Sequence, residues 1–172
     1  VVWKPSLKTP LCAIAVQHIC DRVLERHGWK GVLNLVIGDH GVVGSQLLAD
    51  QRVPLISATG STRMGFTVAQ AVAGRLGRTL LELGGNNGVI VAADADPDLV
   101  VRAALFGAVG TAGQRCTSLR RLFVHKNIAP EISGRLIAAY QQVRIGDPSD
   151  AATLMGPLID EEARTRVLEW IA

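Results

Sequence analysis

Residues 55–85, LISATGSTRMGFTVAQAVAGRLGRTLLELGG, decide the fold class of this chain. Leu55 to Ala58 is an apolar run of strand length, followed by the small-residue turn Thr59-Gly60-Ser61-Thr62-Arg63-Met64-Gly65. The apolar period then becomes that of a helix, which the pattern carries to about residue 76. Thr79 to Leu83 returns to a strand and stops at Gly84-Gly85. A strand, a glycine turn, a helix and a second strand signal a parallel sheet with helical crossovers. Ligands of such sheets sit outside the carboxyl ends of the strands, where these turns fall.

The same alternation continues outward on both sides. Thr9-Pro10 reads as a helix start, with the threonine as cap and proline at the first helical position. Leu11, Ala15, Ile19, Val23 and Leu24 make the expected buried stripe, and Gly28 ends the helix. Leu33 to Ile37 is a strand, and a helix over about 42–51 follows Gly38, Gly41 and Gly44. After Gly85 the pattern restarts with a strand from Val89 to Ala92 and a helix capped by Asp96-Pro97-Asp98 that runs to about Val109. Leu119 to His125 is a strand, about 128–142 a helix, and 157–172 holds a last helix. The class is α/β, with a domain boundary between residues 1–84 and 85–172.

Composition narrows the function. The 18 basic and 15 acidic residues are dispersed, Arg120-Arg121 sits beside an apolar run, and aromatics are 4%, which leaves neither a basic tract nor stacking platforms for nucleic acid. No run approaches the roughly 18 apolar residues of a membrane span. Three cysteines exclude a fully paired disulfide framework and favour a reducing, intracellular setting. Cys12 and Cys20, eight apart in a helical pattern, are expected to be buried core thiols. The histidines lack metal-site spacing. The start has no signal-peptide layout and the end stops inside a helical pattern, so the chain reads as the central portion of a longer protein.

Three elements can carry chemistry. Cys116 lies in the small-residue loop Gly110-Thr111-Ala112-Gly113-Gln114-Arg115-Cys116-Thr117, where Arg115 favours a thiolate and backbone amides can reach an oxyanion. Taken alone it reads rather as an incidental loop cysteine. Glu82 interrupts an apolar strand at the sheet's carboxyl edge, where it is either a base whose pKa burial would raise or a solvent-facing strand residue. The Gly60-to-Gly65 turn opens a helix and suits a phosphate, or merely closes a connection. Lys4 suits a ribose or phosphate, or is solvated surface.

In order and separation, Glu82-Leu83-Gly84-Gly85 followed by Gly113-Gln114-Arg115-Cys116 resembles the two signatures of the aldehyde dehydrogenase superfamily. Gly60-Ser61-Thr62-x-x-Gly65 resembles its coenzyme turn, Lys4-Pro5-Ser6 its adenosine-side lysine segment, and Met155-Gly156-Pro157-Leu158-Ile159 a later landmark. Asn86-Asn87 after the glycines, Thr117 after Cys116 and Arg120-Arg121 make it similar to the antiquitin branch, the α-aminoadipic semialdehyde dehydrogenases. The resemblance implies part of a Rossmann-like coenzyme domain over 1–84 and part of an α/β catalytic domain over 85–172. It implies NAD or NADP as coenzyme, a small-molecule aldehyde as substrate, and a cytoplasmic homotetramer. Cys116 would be the nucleophile and Glu82 the base that activates water. Lys4, Gly60, Ser61, Gly65, Leu83 and Gly84 would line the coenzyme, and Arg115 would hold a carboxylate end of the substrate. Leu7 stands where many NAD-preferring relatives carry a ribose-binding glutamate. Two rival readings are an acylating dehydrogenase that uses coenzyme A and an inactive nucleotide-binding fragment.

Overall fold

The computed structural model of the chain describes residues 1–171. Three βαβ units follow one another. In the first, β1 (Val2–Trp3) leads through α1 (Pro10–Arg26) to its parallel partner β2 (Asn34–Leu35). A short helix, α2 (Ser45–Ala49), precedes the second, in which β3 (Leu55–Thr59), α3 (Thr62–Ala73) and β4 (Arg78–Glu82) are joined with Thr59 opposite Glu82. The third comprises β5 (Asn87–Val91), α4 (Pro97–Val109) and β6 (Leu119–Val124), and α5 (Ala129–Gln141) and α6 (Glu161–Ile171) complete the chain. The parallel α/β class read from the alternating pattern is the class observed. Two compact units are present, Val1–Leu83 and a second from Gly84 onward.

Local chemistry explains most of the boundaries. Ser61 caps α3 by accepting from the Met64 N–H at 3.1 Å. Gly65, Val68 and Val72 recur at helical spacing and are its buried residues. Asp96 caps α4 by accepting from the Asp98 N–H at 2.9 Å, with Pro97 in the first turn. The second unit is centred on Val91, Ala104 and Ile132, none more than 4% exposed. Burying side chains of the size of Val91 and Ile132 contributes roughly 1.5–3 kcal/mol each.

Several expectations fail, each for a local reason. Thr9 makes no side-chain cap bond, because its backbone (φ −137°, ψ 51°) is not in the usual cap conformation. The expected stripe on α1 is not buried. Leu11 is 78% exposed, and Ile19 and Val23 are exposed too, because α1 buries the opposite face through Ala13 and Gln17. Cys12 is therefore exposed and Cys20 half-exposed rather than core thiols. The helix expected over 42–51 begins as a wide turn, with the Gly44 N–H reaching back to the Asp39 carbonyl, and α2 stops at Ala49. The following helix ends at Ala73, short of 76, and Leu76 turns left-handed at φ 58°. The last helix starts only at Glu161, where the Asp160 carboxylate accepts from the Ala163 N–H. Ala172, included in that expected helix, lies outside the described residues.

Candidate active site

In the second unit α4 ends at Val109, and Thr111, Ala112 and Gly113 then adopt φ values of 56°, 52° and 69°. A left-handed residue with a Cβ costs about 1–2 kcal/mol, and a β-branched threonine is a genuine outlier there. The surroundings hold the run in place. The Gln114 N–H donates to the Thr111 carbonyl at 3.0 Å and Arg120 Nη2 to the Gly113 carbonyl at 2.9 Å. Gln114 also accepts from the Ile159 N–H at 2.9 Å.

A tight turn follows directly. The Ser118 N–H donates to the Arg115 carbonyl at 3.1 Å, and the Arg115 N–H donates to Ser118 Oγ at 3.1 Å. Ser118 is fully buried and Cys116, at the second position of the turn, is exposed. The Cys116 N–H has no hydrogen-bond acceptor among the described residues. Its carbonyl is engaged, since Asn87 Nδ2 donates to it at 2.6 Å and to the Ser118 carbonyl at 3.1 Å. A Cβ on Gly85 would lie 2.7 Å from the same Cys116 oxygen. The result is a thiol and a free amide side by side on a turn fixed from below. A thiolate there can attack a carbonyl carbon while the amide receives the oxygen's developing charge.

Arg115 lies along α4. Its Nη2 donates to the Phe106 carbonyl at 3.2 Å, and its guanidinium sits 5.1 Å from the Phe106 ring centroid. A cation suits that helix end, where the dipole is negative. The Nε atom, by contrast, is buried with no partner. A Cβ on Gly110 would fall 2.1 Å from Nη2, so the glycine makes room for this pose.

The first unit holds the other predicted residues. Glu82 is the last residue of β4, its side chain is exposed, and its carbonyl accepts from the Gly60 N–H at 3.0 Å. The burial that the sequence reading invoked to make it a base is not supplied by the described residues of this chain. Leu83 packs against Gly65 so closely that a Cβ there would sit 2.4 Å from Leu83 Cδ1. Lys4 follows β1, half-buried, and donates from Nζ to the Pro5 carbonyl at 3.0 Å. Beside Gly60 and Ser61, the first N–H groups of α3 face no preceding turn. That end suits an anionic phosphate, the group that a dinucleotide coenzyme would present there. Gly84 opens the second unit. Arg115, Cys116, Gly85 and Asn87 come together in that unit; Lys4, the Gly60–Gly65 turn, Glu82 and Leu83 belong to the first.

Sequence reasoning missed Asn87, Ser118 and Phe106. The Asn86-Asn87 pair stood out as similar to the antiquitin branch, but nothing in the order of residues tied Asn87 to Cys116, which is 29 positions away. Among the described residues no group of three or more His, Cys, Asp or Glu residues is arranged to hold a metal, and no helix is long and apolar enough to cross a membrane.

Comparison with known proteins gives a consistent picture. The model of the aldehyde dehydrogenase family matches residues 1–172. The chain is 45% identical over 164 residues to aldehyde dehydrogenase family 7 member A1 of Brassica napus, covering 95% of this chain and 33% of that protein. It is 48% identical over 162 residues to the alpha-aminoadipic semialdehyde dehydrogenase of Bos taurus, covering 94% and 30%. Betaine aldehyde dehydrogenase of Staphylococcus aureus, solved in complex with NAD+, superimposes with a TM-score of 0.89 at 34% identity, over 99% of this chain and 33% of that one. An NADP-dependent enzyme of E. coli gives 0.90 at 36% identity, over 99% and 35%. The chain thus spans about a third of the length of the relatives it matches.

Proposed function

The chain belongs to the aldehyde dehydrogenase family, and from that premise we propose that the full-length protein oxidises an aldehyde to a carboxylate with NAD or NADP. The observation that carries this reading is the Cys116 turn, with its exposed thiol beside an unpaired amide. In the proposed reaction the Cys116 thiolate adds to the aldehyde carbon, forming a C–S bond, and the Cys116 N–H helps hold the resulting oxyanion. The coenzyme, when bound, supplies the hydride acceptor that turns this adduct into a thioester. Glu82 takes a proton from the water that then attacks the thioester carbon, and Cys116 leaves as the thiolate with the electron pair of the C–S bond. Lys4 binds the adenosine ribose, Ser61 and the Gly60–Gly65 turn meet the pyrophosphate, and Leu83 and Gly84 line the same coenzyme. An exposed carboxylate that can accept the proton in this step also favours hydrolysis over transfer to coenzyme A.

The substrate we propose is α-aminoadipic semialdehyde, and the setting a cytoplasmic homotetramer. Support for the substrate comes from the similarity to the Bos taurus alpha-aminoadipic semialdehyde dehydrogenase and from Arg115, whose guanidinium belongs to the residue just before Cys116. A substrate carboxylate would pair with that guanidinium through charge-assisted hydrogen bonds. NAD(P)H formation by the full-length protein tests the reading, with the semialdehyde compared against an aliphatic aldehyde. Oxidation of neither removes the function; equal rates on both remove the substrate. Arg115→Ala is expected to raise KM for the semialdehyde roughly tenfold or more, the effect of one charge-assisted hydrogen-bond pair, with little change for the aliphatic aldehyde.

A further inference from the structure

We propose that Asn87 is a positioning residue for the nucleophile, aligning the Cys116 amide with the oxyanion that forms when the thiol is acylated. The inference rests on the reading of Cys116 as a nucleophile. Asn87 starts β5, the strand entered directly after Gly84-Gly85. Its one side-chain N–H₂ group donates to two carbonyls of the Cys116 turn, at 2.6 Å to Cys116 and 3.1 Å to Ser118. Both contacts are made by a half-buried side chain whose own strand is paired with β6, so the donor is anchored in the sheet while the acceptors are on a loop.

The direction of the constraint matters. The Cys116 N–H shares its rigid peptide plane with the Arg115 carbonyl, which accepts from the Ser118 N–H. Asn87 holds the Cys116 and Ser118 carbonyls later in the same turn, so rotation of the turn that carries this plane is restrained. The amide is then aimed before substrate arrives, and no reorganisation is needed as charge develops. Gly85 reports the same placement independently, because any side chain there would collide with the Cys116 oxygen at 2.7 Å. The opposite side is closed by the buried Ser118 hydroxyl, which accepts from the Arg115 N–H. Two polar groups from different places in the sequence thus hold one turn, and both act on its backbone.

The test separates oxyanion placement from thiol reactivity in the full-length protein. Acylation by p-nitrophenyl acetate forms a C–S bond through a tetrahedral oxyanion and expels p-nitrophenolate with the electron pair of its C–O bond. Alkylation by iodoacetamide displaces iodide and develops no oxyanion. Asn87→Ala and the near-isosteric Asn87→Asp are expected to slow first-turnover p-nitrophenolate release about tenfold to a hundredfold, below the 10²–10³ of deleting an oxyanion donor outright. Iodoacetamide labelling of the Cys116 peptide, followed by mass spectrometry, should change less than about threefold in the same variants. Wild-type acylation rates in both variants would overturn the proposal. So would parallel loss of acylation and alkylation, which is the mark of a merely structural residue. If the wild-type protein oxidises no aldehyde, the proposed function fails, whereas the split between acylation and alkylation still decides the role of Asn87.

Discussion

The two glycine-rich turns of this protein are built in opposite ways. The Gly60–Gly65 turn of the first unit is relaxed: neither glycine has a positive φ, Ser61 caps a regular helix, and the glycines serve by leaving space for Met64 and Leu83. The Gly110–Cys116 loop of the second unit is forced: two residues with side chains are held left-handed, and carbonyls are tied down by Arg120 and Asn87. A phosphate site asks mainly for bare amides at a helix end, which small residues provide. A nucleophile asks for one atom in one place, and fixed geometry costs strain that neighbours must offset.

The sharpest way to break this contrast is to remove the thiol. Cys116→Ala in the full-length protein is expected to lower NAD(P)H formation at least about 10⁴-fold, as loss of a covalent nucleophile does elsewhere. Coenzyme affinity, measured by fluorescence titration, should hold. Coenzyme binding that fell in step would mean that the two turns are not independent in function.

Glycine-to-alanine changes sharpen the comparison next. At Gly85 the new Cβ meets the backbone oxygen of Cys116 at 2.7 Å, whereas at Gly60 it meets the flexible end of Met64 at a similar distance. A methyl group can swing aside and a clamped carbonyl cannot. Gly85→Ala is therefore expected to cut kcat about tenfold or more, the size of a 1–3 kcal/mol overpacking cost felt at the site. Gly60→Ala should change the coenzyme KM less than about threefold. Equal effects on turnover would erase the distinction between a spacious turn and a clamped one.

Much of this fold was legible from residue order, because it is decided locally. Asp96 caps the helix expected of it, α3 opens at the Gly60–Gly65 turn expected to open a helix, and β3, β4, β5 and β6 fall within two residues of the apolar runs that announced them. What was hidden depends on partners through space. The α1 stripe has the right period, yet which face is covered is settled by packing, and Ala13 and Gln17 take the inner side. Cys116 was singled out by its small-residue loop, and its reading as a nucleophile rested on the resemblance of its segment and the Glu82 segment to the family's signatures. Its left-handed approach was not legible, since Thr111 and Ala112 carry no propensity for it. Nor was the Asn87 contact, made across 29 residues, nor the placement of Arg115 on Phe106.

The strain itself can be measured. Thr111→Gly removes a side chain from φ 56° and is expected to raise the stability of the unit by up to about 1 kcal/mol. Turnover should fall as the loop loosens. A stabilised protein with unchanged kcat would make the left-handed run a packing accident. The smallest effect belongs to the relaxed unit. The Arg52 guanidinium, hydrogen-bonded to Asp50, lowers that carboxyl from 3.8 to about 2. Asp50 therefore contributes stability that is present above pH 3.8 and lost as pH falls through about 2. The pair is exposed, so Arg52→Ala should only slightly flatten an acid-unfolding curve over that window.

The left-handed run also sets an order of events. In an unfolded chain Thr111 and Ala112 favour the right-handed basin, so their native conformation must wait for what holds it. Asn87 leaves the ribosome ahead of Cys116, and its amide has nothing to grip until β6 pairs with β5. The reactive turn therefore sets only after those strands have paired. Catalytic competence would then lag behind compactness as the protein matures.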